Sequence, residues 1–176
     1  MVSQQRIDRV RTWAQNSYKQ NKYVVPTFII HSELGDYAYD VSDCIENKSF
    51  VFNTVKALCA GLEAYAYSFV SEAWFAKIPK EEVENLDDVE AVSERSDKKQ
   101  GIVASFVSHD IKSVKIYEIN DGKIVADEGN ENESAQSYEG PMAELLPSHD
   151  DQASYSKELK KEIIDLFQAH EKIIKL

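Results

Sequence analysis

The chain has 176 residues, a formal net charge of -11, 43% hydrophobic residues and two cysteines. That length is one domain's worth and can bury enough apolar surface to fold without metal or disulfide staples. Nine Tyr and seven Phe argue against a disordered chain. The acid excess repels nucleic-acid phosphates, and no Lys/Arg run in the sequence is large enough to reverse that locally, so direct DNA or RNA binding is not expected.

Cys44 and Cys59 have no C-x-x-C spacing and read as free thiols of a reducing compartment. No charged segment followed by an apolar core stands near Met1, and no run of about 18 apolar residues occurs. The expectation is a cytoplasmic protein with no membrane span, no metal and no cofactor.

Ser3 can cap a first helix to about Gln20, with Ile7, Val10, Trp13 or Ala14, and Tyr18 on one face, and with Arg6, Arg9, Arg11 and Lys19 around the rest. Its cations allow a nucleic-acid or partner-binding helix, but the expected role is to pack on a sheet through Trp13. Tyr23–Ser32 reads as a strand with Pro26 near its start, and 33–36 as a turn into a second strand, 37–41. His31, Ser32, Glu33 and Asp36 gather at the tip of this hairpin. Such residues invite a catalytic reading, but they are also what hairpin ends are made of.

Ser42 or Asp43 can cap the next segment, with Asn47-Lys48-Ser49 delaying the regular helix. Phe52, Val55, Leu58, Cys59 and Leu62 then form a helical stripe, and Gly61 supplies a left-handed residue near its end.

The segment 63–76 organises the chain. Tyr65, Tyr67, Phe69 and Phe75 share one parity, and Ala64, Ala66, Val70 and Trp74 the other, so the strand is apolar on both faces and belongs in the middle of a sheet. Glu72 falls on the parity of Val70 and Trp74. A carboxylate held there needs a partner.

From Lys80 to residue 98 the composition turns acidic, with Glu84, Asp87 and Asp88 among its carboxylates, and reads as a solvated, mobile linker. It lacks the spacing of a calcium loop. Strands follow at Gly101–His109 and Ser113–Ile119, then Asn120-Asp121-Gly122 turns the chain into 123–126. Residues 127–138 read as a second acidic loop, and Asp150 or Ser154 caps a last helix with Leu159, Ile163, Leu166, Phe167, His170 and Ile174 on one side. The whole is one α+β domain, 1–176, in the order α-β-β-α-β-β-β-β-α, with a largely antiparallel sheet of about five to six strands.

Residues 67–74 carry Phe69-Val-Ser-Glu-Ala-Trp74, and after the acidic linker Arg95-Ser-Asp-Lys-Lys-Gln-Gly-Ile102 enters a valine-rich strand. This arrangement resembles a group of small uncharacterised microbial and phage proteins sharing a Phe-x-Ser-Glu-Ala-Trp strand, a polar linker and a closing meander. The resemblance spans about Pro26 to Val125 and implies a shared α+β fold, without a reaction.

Two functions compete. One is a non-enzymatic interaction module whose acidic linker and loop contact a protein partner, with homodimerisation through a sheet edge as a variant. Trp74, Ser71, Glu84, Asp87 and Asp88 are its candidate binding residues. The other is a hydrolase using Glu72 as acid or base, with Arg95 and His109 reaching it. A metal-assisted form needs Glu72 or Glu33 with His31 and His109 around one ion. Against both enzymatic forms stands a Glu72 paired to Arg95, Lys98 or a backbone amide for the sake of the fold.

Overall fold

A computed structural model describes residues 4–76, 94–125, 142, 144–169 and 172–176. The expected central strand is present as β3, Ala66–Phe75. It lies fourth in an antiparallel sheet of seven strands, in the order β6-β5-β4-β3-β1-β2-β7. The other strands are β1 (Thr27–Ser32), β2 (Gly35–Asp40), β4 (Lys99–Ser108), β5 (Lys112–Asn120), β6 (Lys123–Ile124) and β7 (Ile173–Lys175). Helices α1 (Gln4–Asn21), α2 (Lys48–Gly61), α3 (His149–Ser154) and α4 (Lys157–Ala169) complete an α+β fold with one more strand than expected.

Alternation along β3 divides the core in two. Val70 packs with Val10, Ala14 and Tyr18 of α1 and with Ile29, Ile102 and Tyr117. Tyr67 instead joins Phe28 and Ile30 with Val51, Val55 and Leu58 of α2. A helix on each side explains why the first half of β3 is dry on both faces. The second half opens: Glu72 is half-buried, and Trp74 is 59% exposed rather than dry beside it.

The expected contact through Trp13 is also corrected. The row Ile7, Val10, Ala14, Tyr18 faces the sheet, which puts Trp13 one step around the helix at 40% exposure. Ala14 is the smaller residue and lets α1 sit close to the strands.

Asn47, not Ser42 or Asp43, caps α2, its side chain accepting from the Phe50 N–H at 3.2 Å. Gly61 does not take the left-handed conformation either; Glu63 does, at φ 50°. A Cβ on Gly61 would lie 2.9 Å from Ile163 Cγ2, so the glycine serves the close approach of α4 to α2. Asp121 and Gly122, with φ of 47° and 68°, make the tight turn between β5 and β6.

The spacing predicts Ile174 on the last helix, yet it lies in β7, opposite Ala38 of β2. The helical pattern ends at Ala169, and Ile173 is buried against Tyr39 by strand pairing instead. Of the two acidic segments, 80–93 and 127–138 lie outside the described residues, and with them Glu84, Asp87 and Asp88.

Candidate functional site

Two polar clusters sit on the α1 side of β3, because Ser68 and Glu72 share the parity that faces α1. The first is built on Glu72. Its Oε1 accepts the backbone N–H of Val24 at 2.8 Å, and its Oε2 accepts from Gln100 Nε2 at 2.7 Å. Val24 lies in the connection from α1 to β1, and Gln100 faces Trp74 across the β3–β4 ladder. The carboxylate thus spends both oxygens holding a loop and a neighbouring strand. Of the three partners expected for a structural Glu72, the backbone amide is the one found.

Of the two residues expected to work with Glu72, one is paired with an acid and the other lies far along the sheet. Arg95 forms a bidentate pair with Asp97, at 2.8 and 2.9 Å. His109 follows the end of β4, while Glu72 lies opposite Ile102. Seven residues of strand separate those positions, about 23 Å at about 3.3 Å per residue. Ser71, on the α2 side, donates to the backbone carbonyl of Glu72 at 2.8 Å. Trp74 points outward, with the Lys98 ammonium 5.6 Å from its ring centre.

The second cluster centres on His31. Its Nε2 is 3.0 Å from Ser68 Oγ, and its Nδ1 is 3.0 Å from Asp36 Oδ1. Arg6 Nη1 approaches the same carboxylate oxygen at 4.0 Å, and the imidazole lies 5.5 Å from the Phe106 ring. The distance from Nδ1 to Oδ1 is short, yet neither atom makes a well-aligned hydrogen bond. We read it as an electrostatic contact rather than a full bond, because alignment decides hydrogen-bond strength at a given distance. A carboxylate beside Nδ1 still favours the tautomer with the proton there, leaving Nε2 to accept from the Ser68 hydroxyl. The contact with His31 lowers the Asp36 pKa below its usual 3.8, against desolvation and with help from Arg6 and Arg9.

Ser68, His31 and Asp36 therefore stand in the order of a nucleophilic triad, but they lack what such a triad needs. Ser68 is 0% and His31 1% exposed, so no acyl group can approach the hydroxyl. Ser68 sits in mid-strand, paired in register with Ile29 on one side and Phe106 on the other, which occupies the strand's amides in sheet ladders rather than an oxyanion hole. What the cluster can do is tie α1, the hairpin and β3 together through Arg6, Asp36, His31 and Ser68. Periodicity flagged His31 and Asp36 at the hairpin tip, but Ser68 had no sequence signal pointing to them.

Among the described residues no group of three or more His, Cys, Asp or Glu is placed to hold a metal ion, and no helix is long and apolar enough to cross a membrane. Cys59 is fully buried and its thiol is pushed up in pKa by desolvation, which makes it a small core residue. Compared with known proteins, the chain matches no family model, no curated protein and no solved structure.

Proposed function

We propose that the protein is a non-enzymatic interaction module that contacts a protein partner beside the open end of β3. The observation that carries this reading is the exposure of Trp74 at the point where the central strand runs out toward the acidic segment 80–98. An exposed Trp flanked by charge is the composition of an interface hot spot, because one large rigid side chain gives much buried area at little entropic cost. The reading gains further support from Glu72, whose oxygens are committed to Val24 and Gln100, and from the sealed Ser68. The alternative, a hydrolase built on Glu72 with Arg95 and His109, draws no support from their placement.

A cytoplasmic location and an origin among microbial or phage proteins of the Phe-x-Ser-Glu-Ala-Trp type belong to the same proposal. So does a homodimer formed through a sheet edge, of which β7, three residues long with Ile174 exposed, is one and the β6 side the other. The test is site-specific photo-cross-linking in cells of origin, with a photoreactive phenylalanine at position 74 and a control at exposed position 53. The expected result is a discrete protein adduct from position 74, lost when the acids of 80–98 are replaced by amides. Equal adducts from both positions, or adducts indifferent to the acids, contradict the proposal.

A further inference from the structure

Helix α1 differs in charge from the protein it belongs to. Between Gln4 and Asn21 stand four cations, Arg6, Arg9, Arg11 and Lys19, and one acid, Asp8, in a chain of net charge -11. The helix buries its apolar row on the sheet, which leaves Trp13 on the outer surface with Arg9 one turn before it. Lys22, just past the helix, lies 5.8 Å from the Tyr18 ring.

The same side of the sheet presents Trp74, with Lys98 over its ring. Both tryptophans of the chain are thus exposed on the α1 side of the sheet, Trp74 with a cation over its ring. Acids on that face are already engaged: Asp8 with Gln4 at 3.0 Å, Asp36 with His31, Asp40 with Ser42 at 2.6 Å, and Glu72 with Val24 and Gln100. Arg6 offsets Asp36, at 4.0 Å, and Arg9, Arg11, Lys19, Lys22 and Lys98 remain against Asp8, Asp40 and Glu72.

We infer that the α1 face is a second docking surface, for an acidic peptide segment carrying apolar side chains. Its cations meet the acids, and Trp13 takes the apolar contacts. A peptide fits better than a nucleic acid. Duplex DNA carries a charge about every 1.7 Å and extends far past one helix, so most of it would face the protein's acid excess. A short segment is held only where the local sign is favourable. This goes beyond the reading above, which assigns the acidic part of the chain to a partner and leaves the basic helix unused.

The probe is a synthetic peptide with the sequence of residues 80–97, which has eight acids, two cations and the apolar residues Val83, Leu86 and Val89. It is titrated into the full chain carrying Trp74→Phe, so that fluorescence reports Trp13 alone. The expected result is a saturable blue shift, with affinity falling at least about tenfold as added salt shortens the Debye length from about 30 Å to about 3 Å. An amide version of the peptide gives no shift. The double variant Arg9→Ala/Lys19→Ala, checked for an unchanged melting temperature, weakens binding at least about tenfold, as loss of two charge contacts requires. No shift with the acidic peptide, an equal shift with the amide peptide, or undiminished binding by the double variant overturns the inference. Saturation by a single-stranded oligothymidylate at lower concentration than the peptide overturns it in favour of nucleic acid. None of these outcomes bears on the cross-linking at position 74 in cells, so the two readings fail separately.

Discussion

Glu72 reaches across from the central strand to the backbone N–H of Val24, 48 residues earlier in the chain, at 2.8 Å. The bond closes the connection between α1 and β1 onto the sheet, just where α1 stops covering it. Gln100 completes the clamp from β4. Hydrogen bonds to a charged acceptor are stronger than neutral ones, and Val24 is itself fully buried.

Removing that acceptor has a predictable cost. Glu72→Ala leaves the Val24 amide and the Gln100 side chain without a partner, and destabilises the fold by about 1–3 kcal/mol. Glu72→Gln keeps an oxygen for Val24 and costs about half as much or less by the same reasoning. Urea unfolding of the three proteins measures both differences. If Glu72→Ala matches the parent, the clamp has no energetic role.

The His31 cluster yields a second prediction. Ser68→Ala removes the hydroxyl from a fully buried site and strands His31 Nε2, so it destabilises by about 1–3 kcal/mol. Ser68→Cys, close in size, places a weaker donor there and loses less. The melting temperatures should fall in the order parent, Cys, Ala. A stable Ser68→Ala protein would mean that the imidazole finds its partner elsewhere.

The pH dependence follows from Asp36. Its folded-state pKa lies below the ordinary 3.8, chiefly through His31, so the unfolded chain binds a proton more readily than the native one. The carboxylate therefore contributes stability that is fully present above pH about 4 and is lost as pH falls through the folded value. Asp36→Asn should be less stable than the parent at pH 7, and the gap should narrow as pH falls below about 4. Urea midpoints at pH 7, 5 and 3 give the comparison, and a constant gap contradicts it.

Gly61 is a test of helix packing. Alanine there gains about 1 kcal/mol of helix propensity, but its methyl would meet the β-branched carbon framework of Ile163. Overpacking of this kind costs about 1–3 kcal/mol, so Gly61→Ala is expected to destabilise, with α4 displaced. Pairing it with Ile163→Ala should restore part of the loss in a double-mutant cycle.

The fold was largely legible because its central strand announces itself. Tyr65, Tyr67 and Phe69 recur at the spacing of a strand with apolar residues on the other parity too, and the meander carries an Asn-Asp-Gly turn. Individual faces were harder. Trp13 and Ala14 are adjacent and both apolar, so periodicity alone could not choose between them, and the smaller one won because α1 packs close. Ile174 continued the helical spacing, but strand pairing with Ala38 claimed it.

The sites were less legible still. Glu72 stood out as an acid among apolar neighbours, yet its partner Val24 is a backbone amide, a group that every residue but proline offers and that no side-chain pattern reveals. Ser68 met His31 only through the register of β3 on β1, where it lies opposite Ile29. The cations of α1 were visible singly. Their common face with Trp74 needed the helix to be docked.

The most direct measurement is amide hydrogen exchange at Val24. If Glu72 is a clamp of the fold, the Val24 N–H is strongly protected in the parent, and Glu72→Ala lowers its protection far more than that of β3 amides such as Val70. Unchanged protection at Val24 in the variant would show that the carboxylate does not hold that amide, and would return Glu72 to the residues available for chemistry.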